Sequence, residues 1–421
     1  MIKLFLYTSI AILIFISCST QKVTVTKSQK SLISDTLNYS TYWTAMRCGF
    51  PELANKYTTE PDKLEFAKGL INILENNFSI SETIFKKIIE STRNDTVRDN
   101  SKILLEQVFI YQSKWKDYFD FFRNNNKVDS TEIRRLLYPA FVNNSERINY
   151  SKLIDTIPIC VKNGLIFIPV NVNGRDYNFL FDSGSQLTLL STDVSSETGI
   201  NSLFKHPASL IASTGKLSDV ETGIIKSFKV GNYESNNKPC LISESANLKF
   251  KFWFYTFLSF DGVIGWDVIK NLDILIDCKN KKMIISKPQL RNVTEKNLFW
   301  LNHPIVRLKS TSGIELLFFF DSGAQNSKFY DFLLVKLKPE DLKDDKELIY
   351  GIGGSYTRNL KKIPNISFLL KSNKLDFENL VSGYEPEDQF IKLDGVLGND
   401  IGLEDKIHID AINGVFEIIK D

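Results

Sequence analysis

The chain changes its hydrophobic period partway along. Between Pro61 and about Asn144, apolar residues recur every three or four positions: Leu64, Ala67, Leu70, Ile71 and Leu74, then Ile84, Ile88 and Ile89, then Ile103, Leu104, Val108 and Tyr111. That spacing places each set on one face of a helix. Ser81, ahead of bulky apolar residues, and Asp95, ahead of Val97, stand where helix N-termini need a side-chain acceptor. Several amphipathic helices with short links are predicted. After Ile157-Pro158 the period becomes two: Leu165, Phe167 and Pro169 alternate with Ile166, Ile168 and Val170, Asn173-Gly174 makes a turn, and Tyr177 to Phe181 is a further strand. Short strands follow to the end, and no run beyond Gly164 has the length and spacing of a long amphipathic helix.

At 421 residues the chain is long enough for two or three cores, and 43% hydrophobic against 24% charged residues argues against disorder. Lys and Arg (52) nearly balance Asp and Glu (50), so no net field favours nucleic acid or an anionic surface, and partners must be inferred from sites. The stretch from about Gln21 to Pro61 is rich in Ser, Thr, Lys and Asn and reads partly as a tether. Ahead of it, Met1-Ile2-Lys3 and the apolar run Leu4 to Ile16 form a secretory signal, too short for a comfortable membrane span. Cys48, Cys160, Cys240 and Cys278 show no C-x-x-C spacing and no adjacent His, which excludes a recognisable zinc site, and the spacings name no disulfide. Cys278, in an apolar strand-like run, reads as a buried free thiol.

The second half repeats itself. Asn173-Gly174 leads through an apolar strand to Phe181-Asp182-Ser183-Gly184, and Ser312-Gly313 leads through Leu316 to Phe320 into Asp321-Ser322-Gly323, with eight residues from Gly to Asp in both. Val263-Ile264-Gly265 and Val396-Leu397-Gly398 follow later, and twelve residues beyond each final glycine comes an Asp, Asp277 and Asp410, then Asn280 and Asn413. Such agreement across unrelated intervening residues argues for duplication. A single Asp-Ser-Gly means little; two copies at the ends of matching strands mean more. Two such loops brought together would set two carboxylates side by side. Like charges at that distance cannot both ionise, so one proton is shared. The ionised group can activate water and the protonated one can donate to a carbonyl oxygen. Asp267 and Asp400 read as helix N-caps, Asp277 and Asp410 as structural residues at hairpin turns, and Asp261 and Asp394 as turn residues.

On these motifs residues 160–421 resemble two tandem retropepsin-like lobes, as in bacterial aspartyl proteases. The resemblance implies that Asp182 and Asp321 are the catalytic pair and that Ser183 and Ser322 buttress them. Gly184, Gly323, Gly265 and Gly398 would support the loops. It also implies a flap hairpin in each lobe, for which Thr214 and Gly215 are candidates in the first and Gly351, Gly353 and Gly354 in the second. No metal and no cofactor are implied. The Ser17-Cys18 junction resembles the lipobox of bacterial lipoproteins, which would make Cys18 the lipidated residue. Phe15 departs from that pattern, and a membrane anchor or an ordinary signal with an incidental Cys fits the same run. The helical region loosely resembles tetratricopeptide-type hairpins, and a plain helical bundle fits it equally.

The expected fold class is multidomain: an N-terminal all-α helical hairpin array or bundle, then all-β, pseudo-two-fold, double-lobed acid-protease barrels. The expected boundaries are a signal peptide at 1–18, a tether at 19–60, a helical domain at 61–150, and lobes at 155–290 and 300–421. The helices, which carry no acid, base or nucleophile motif, are expected to position substrate or a protein partner. A chain starting near Asp155 is accordingly expected to fold and cut by itself. The expected activity is metal-free endopeptidase hydrolysis of peptide or protein substrates by a monomer with paired lobes. The expected location is an exported protein, lipid-anchored to a bacterial membrane, the outer one where Ser19 follows Cys18. The alternative is a peptide-binding or assembly lipoprotein without activity. No Gly-x-Ser-x-Gly, His-Glu-x-x-His, P-loop or dinucleotide fingerprint is present.

Overall fold

The computed structural model describes residues 22–27, 41–124, 140–142, 145–203, 208–211, 217–252, 255–339, 341–351, 354–383 and 390–420. Cys18 and the signal run lie outside the described residues. N-terminal helices are followed by a largely β region with barrel-like sheets. None of the described helices is long and apolar enough to cross a membrane.

The main helices are Pro61–Leu74, Phe78–Ser91, Asp95–Tyr111 and Trp115–Asn124. The third is capped one residue before the expected Asp95, by Asn94, whose side chain accepts from Val97 N at 3.2 Å. Ser81 is not a cap. It lies inside the second helix, and its hydroxyl crosses to donate to the Gly69 carbonyl at 2.9 Å. Gly69 permits this close packing, since a Cβ there would sit 2.6 Å from the Phe85 ring.

Two nine-stranded sheets share one order over eight of their strands, and the ninth, Cys160–Lys162 or Leu298–Leu301, pairs off that path with the strand Leu165–Val172 or His303–Ser310. In the first, Arg147–Tyr150 pairs Tyr233–Ser243, followed by Leu189–Ser191, Gly262–Ile264, Arg175–Phe181, Leu165–Val172, Leu217–Val230 and Ala208–Ile211. In the second the corresponding positions are Lys22–Lys27, Asn373–Ser382, Lys328–Phe329, Gly395–Leu397, Glu315–Phe320, His303–Ser310, Gly354–Leu370 and Lys343–Gly351. In each, the strand leading to Asp-Ser-Gly runs parallel to the Val-Ile-Gly or Val-Leu-Gly strand, with Phe181 opposite Ile264 and Phe320 opposite Leu397. A separate five-stranded sheet joins the halves, because Asp273–Asp277 pairs antiparallel with Lys406–Asp410.

Two stretches of the expected tether are regular structure. Lys22–Lys27 is the edge strand of the second sheet, paired from Lys22 opposite Glu378 to Lys27 opposite Asn373. Residues 42–47 and 51–57 are short helical segments. The alternation Val23, Thr24, Val25, Thr26 suits a strand, since β-branched side chains pack well on a pleated surface.

The helices share their core with the β region instead of standing apart from it. Phe66 meets Phe390 at 5.8 Å between ring centres and Tyr111 meets Trp300 at 5.5 Å. Asn76 Nδ2 donates to the Leu298 carbonyl at 2.9 Å, and Lys270 Nζ donates to the Tyr111 carbonyl and, at 2.9 Å, to Ser113 Oγ. Leu298, Trp300, Phe390 and Phe66 are buried here. At about 1.5–3 kcal/mol for each large side chain removed from water, this contact is a major part of the fold.

Candidate active site

Two strands rich in buried Phe and Leu, Arg175–Phe181 and Glu315–Phe320, end in the two Asp-Ser-Gly loops. Each Asp is pinned by its backbone, Asp182 N donating to the Ile264 carbonyl at 3.1 Å and Asp321 N to the Leu397 carbonyl at 2.9 Å. Each loop then turns back on its own carboxylate. Gly184 N and Ser185 N donate to Asp182 Oδ1 at 2.8 and 3.2 Å, and Gly323 N donates to Asp321 Oδ1 at 2.8 Å.

The serines lock one loop to the other. Ser183 N donates to Ser322 Oγ at 2.8 Å, and Ser322 N donates to Ser183 Oγ at 2.9 Å. Each hydroxyl passes its own proton across, Ser183 Oγ to the Phe320 carbonyl at 2.8 Å and Ser322 Oγ to the Phe181 carbonyl at 2.9 Å. This four-bond exchange sets Asp182 and Asp321 side by side. Gly184 sits against both: a Cβ there would lie 2.6 Å from Asp321 Oδ1 and 3.1 Å from Asp182 Oδ1.

Both carboxyls are fully buried. Burial pushes the affinity of each for a proton well above the ordinary carboxylate range. The charge of Asp182 raises Asp321 further, while the N–H groups of Gly184 and Ser185 pull Asp182 back down. The second oxygen of each carboxyl receives no donor from the described residues. The pair therefore keeps one proton to higher pH than isolated carboxyls would, with one inner oxygen of each fixed by its loop.

The loops rest on matching supports. A Cβ at Gly265 would lie 2.7 Å from the Leu187 backbone, and one at Gly398 would lie 2.6 Å from that of Asn326, so only glycine allows the strand and loop to touch. Asn399 Nδ2 donates to the Ser322 carbonyl at 2.7 Å and the Gly164 carbonyl at 2.9 Å. Gln186 Nε2 donates to the Asn302 carbonyl at 3.0 Å and side chain at 2.5 Å, tying the first loop to a turn of the second sheet.

Asp267 and Asp400 are not N-caps. Gly265 and Gly398 hold those positions, and the carboxylates reach back to the loops. Asp267 accepts from Thr188 Oγ1 at 2.9 Å and from the buried Lys238 Nζ at 2.6 Å. Asp400 accepts from Ser327 N and Oγ at 2.9 and 2.7 Å, and burial raises its pKa to about 6. Asp261 and Asp394 are more than turn residues: they accept from Asn178 N and Leu317 N at 2.8 and 2.7 Å, and Asp394 also pairs with buried Lys336 at 2.7 Å. Asp277 and Asp410 accept from the backbone and side-chain N–H groups of Asn280 and Asn413.

Gly351 and Gly354 face each other at the end of a hairpin. Gly353 lies outside the described residues, as do Thr214 and Gly215, which fall between the paired strands Ala208–Ile211 and Leu217–Val230. Supports were missed although the sequence carries a signal: Gln186 stands four residues after Asp182, where the second copy also has a glutamine, and Thr188 and Ser327 each stand six after the Asp. Away from the loops, Asp273, His408 and Asp410 group closely enough to hold a cation, and Arg291 donates to both carboxylates. Cys48, Cys160, Cys240 and Cys278 are free thiols, and all but Cys160 are buried.

The two Asp-Ser-Gly loops thus end strands of the two barrel-like sheets and meet each other. Residues 168–268 match the family model described as aspartyl protease, a span that contains Asp182 and Val263-Ile264-Gly265. No curated protein matches the chain.

Proposed function

We propose that the protein is an aspartic endopeptidase whose two nine-stranded sheets are pseudo-equivalent lobes, with Asp182 and Asp321 as the catalytic pair at their junction. The observation that carries this reading is the reciprocal Ser183–Ser322 exchange. It spends four buried hydrogen bonds on holding two carboxyls together, an arrangement that simple stability would not require. The shared strand order supports the two-lobe description, and the Gln186–Asn302 and Asn399–Gly164 bonds tie each half to a turn of the other.

In the reaction the ionised carboxylate takes a proton from water as the oxygen attacks the scissile carbonyl carbon. The protonated carboxyl donates to the carbonyl oxygen. The tetrahedral diol collapses as the carboxyl that took the water proton gives it to the leaving amine and the C–N bond breaks, while a diol hydroxyl returns its proton to the other carboxylate, so the pair is again singly protonated. The paired strands Ala208–Ile211 with Leu217–Val230 and Lys343–Gly351 with Gly354–Leu370 would serve as flaps over the substrate. The helices would position substrate or a partner. The Ser17-Cys18 junction supports export and lipid anchoring through Cys18, which fatty-acid labelling of the wild type and of Cys18→Ser tests directly. The activity is tested by incubating the full chain with a peptide mixture, with and without a transition-state-mimicking aspartic peptidase inhibitor. Inhibitor-sensitive internal cleavage is expected, and its absence in folded protein contradicts the reading.

A further inference from the structure

The second sheet takes its outermost strand from the far end of the chain. In the first sheet the edge position belongs to Arg147–Tyr150, which directly precedes that half; in the second it belongs to Lys22–Lys27, separated from its sheet by the helices and the whole first half. Both edge strands enter in one register. Arg147 lies opposite Asn236 and Lys22 opposite Glu378, and the next residue of each partner strand, Asn237 or Asn379, has a left-handed backbone, with φ of 56° and 61°. The partner's other edge is paired along its length, with Leu217–Val230 or Gly354–Leu370. Past the asparagine, therefore, the edge strand gives way to the strand that follows the Asp-Ser-Gly loop, Leu189–Ser191 or Lys328–Phe329. Each edge strand thus starts beside the end of a loop. In the first half the link runs from Glu146, just ahead of the strand and 3.5 Å from Lys238 Nζ, through Lys238 and Asp267 to Thr188. In the second, Asp400 and Ser327 take the places of Asp267 and Thr188, and Lys22–Lys27 lies against their turn, Asn399–Ile401, whose Asn399 holds the Ser322 carbonyl next to Asp321. Val23 stands opposite the buried Phe377 and packs on the core, while its neighbour Thr24 is exposed.

We propose that Lys22–Lys27 is a positioning strand for the catalytic pair: by closing the edge of the second sheet it holds the turn Asn399–Ile401 and, through Asn399 and Asp400, the loop that carries Asp321. Its effect on turnover rests on the peptidase reading; its effect on the loop does not. Without the strand, Asn373–Glu378 presents an open row of backbone donors and acceptors, and the turn loses the neighbour that backs it. A shift of about 1 Å at a reacting group costs on the order of a hundredfold in rate, so a small relaxation of this turn is enough to matter. The edge is accordingly a binding site for an extended segment of alternating β-branched residues, filled by the chain's own N-terminal stretch.

The test uses the full chain with Val23→Lys, which sets a charge against Phe377, and with Thr24→Lys, which puts the same charge in solvent as a control. Val23→Lys should lower kcat by about tenfold or more with KM unchanged, and should speed hydrogen exchange at residues 324–328 and 399–401, whereas Thr24→Lys should match the wild type. Val23→Ala, milder for folding, should show the same pattern at smaller amplitude. A synthetic peptide of residues 19–29 added to the Val23→Lys protein should restore both kcat and exchange, and the same peptide carrying the substitution should restore neither. Wild-type kcat and exchange in a folded Val23→Lys protein overturn the proposal, as does a lowered kcat that the peptide leaves unchanged. The exchange measurement separates this proposal from the peptidase reading. If the wild type cuts no peptide, faster exchange that the added peptide reverses sinks the peptidase and leaves the strand's role standing. Unchanged exchange sinks the strand's role whatever the activity.

Discussion

The backbone N–H of Ser183 donates to the hydroxyl of Ser322, and the backbone N–H of Ser322 donates to the hydroxyl of Ser183, at 2.8 and 2.9 Å. Neither loop is complete without the other, because each supplies the acceptor that satisfies the other's buried donor. Ser322→Ala would strand Ser183 N and the Phe181 carbonyl at a cost of about 1–3 kcal/mol for each group left unsatisfied. The expected outcome is a lower melting temperature and a lower kcat with little change in KM, and partial rescue by Ser322→Thr, which restores a hydroxyl. Unchanged melting and kcat in Ser322→Ala would show that the exchange contributes nothing.

The shared core changes what truncation should do. A chain starting at Asp155, expected from the sequence to fold alone, would lose the edge strands Lys22–Lys27 and Arg147–Tyr150 and would expose Leu298, Trp300 and Phe390. Such a surface favours aggregation or a loosely packed state. The fragment is expected to bind a hydrophobic dye and to lack a cooperative thermal transition. A sharp melt near that of the full chain would contradict this.

His303 offers a pH probe away from the chemistry. It is buried against Phe319, with ring centres 4.4 Å apart, and burial lowers its pKa to about 4. The unfolded chain takes up a proton near pH 6.5 while the folded one does not, so this residue's contribution to stability is whole above 6.5 and is lost as pH falls towards 4. The loss is a few kcal/mol at most, at about 1.4 kcal/mol for each tenfold change in proton affinity. His303→Leu, which copies Leu165 at the matching place in the first sheet, should flatten that part of a stability-against-pH curve measured by urea unfolding. An identical slope would mean that His303 is not buried neutral.

Much of this was legible in the sequence because short-range rules govern it. The three-and-four spacing marked the helices, and the repeated Asp-Ser-Gly and Val-Ile-Gly or Val-Leu-Gly motifs marked the loops and their supports. What failed depended on partners distant in the chain. Ser81 has a cap's neighbours, yet its hydroxyl serves Gly69 on the preceding helix. Lys22–Lys27 looks like linker until its partner strand, Asn373–Ser382, is known. Asp267 and Asp400 stand two residues beyond the capping glycines and instead anchor Thr188 and Ser327. The fusion of helices and sheets through Trp300 and Phe390 has no local signature.

The dyad sets the sign of the activity's pH dependence. Burial raises both carboxyls, so the singly protonated state extends above the range of free aspartate. Plots of kcat/KM against pH should fall at low pH, where both groups are protonated, and fall again as pH rises through the upper pKa, where the donor is lost. A rate that climbs steadily into alkaline solution would point to a different base.

The most direct measurement compares peptide turnover by Asp182→Asn and Asp321→Asn, each shown by circular dichroism to be folded. One shared proton needs two carboxyl groups, so each change should reduce kcat by about a hundredfold or more, and the double variant should be scarcely worse than either single one. Asp321→Asn that keeps most of the activity while Asp182→Asn loses it would contradict a catalytic pair within one chain.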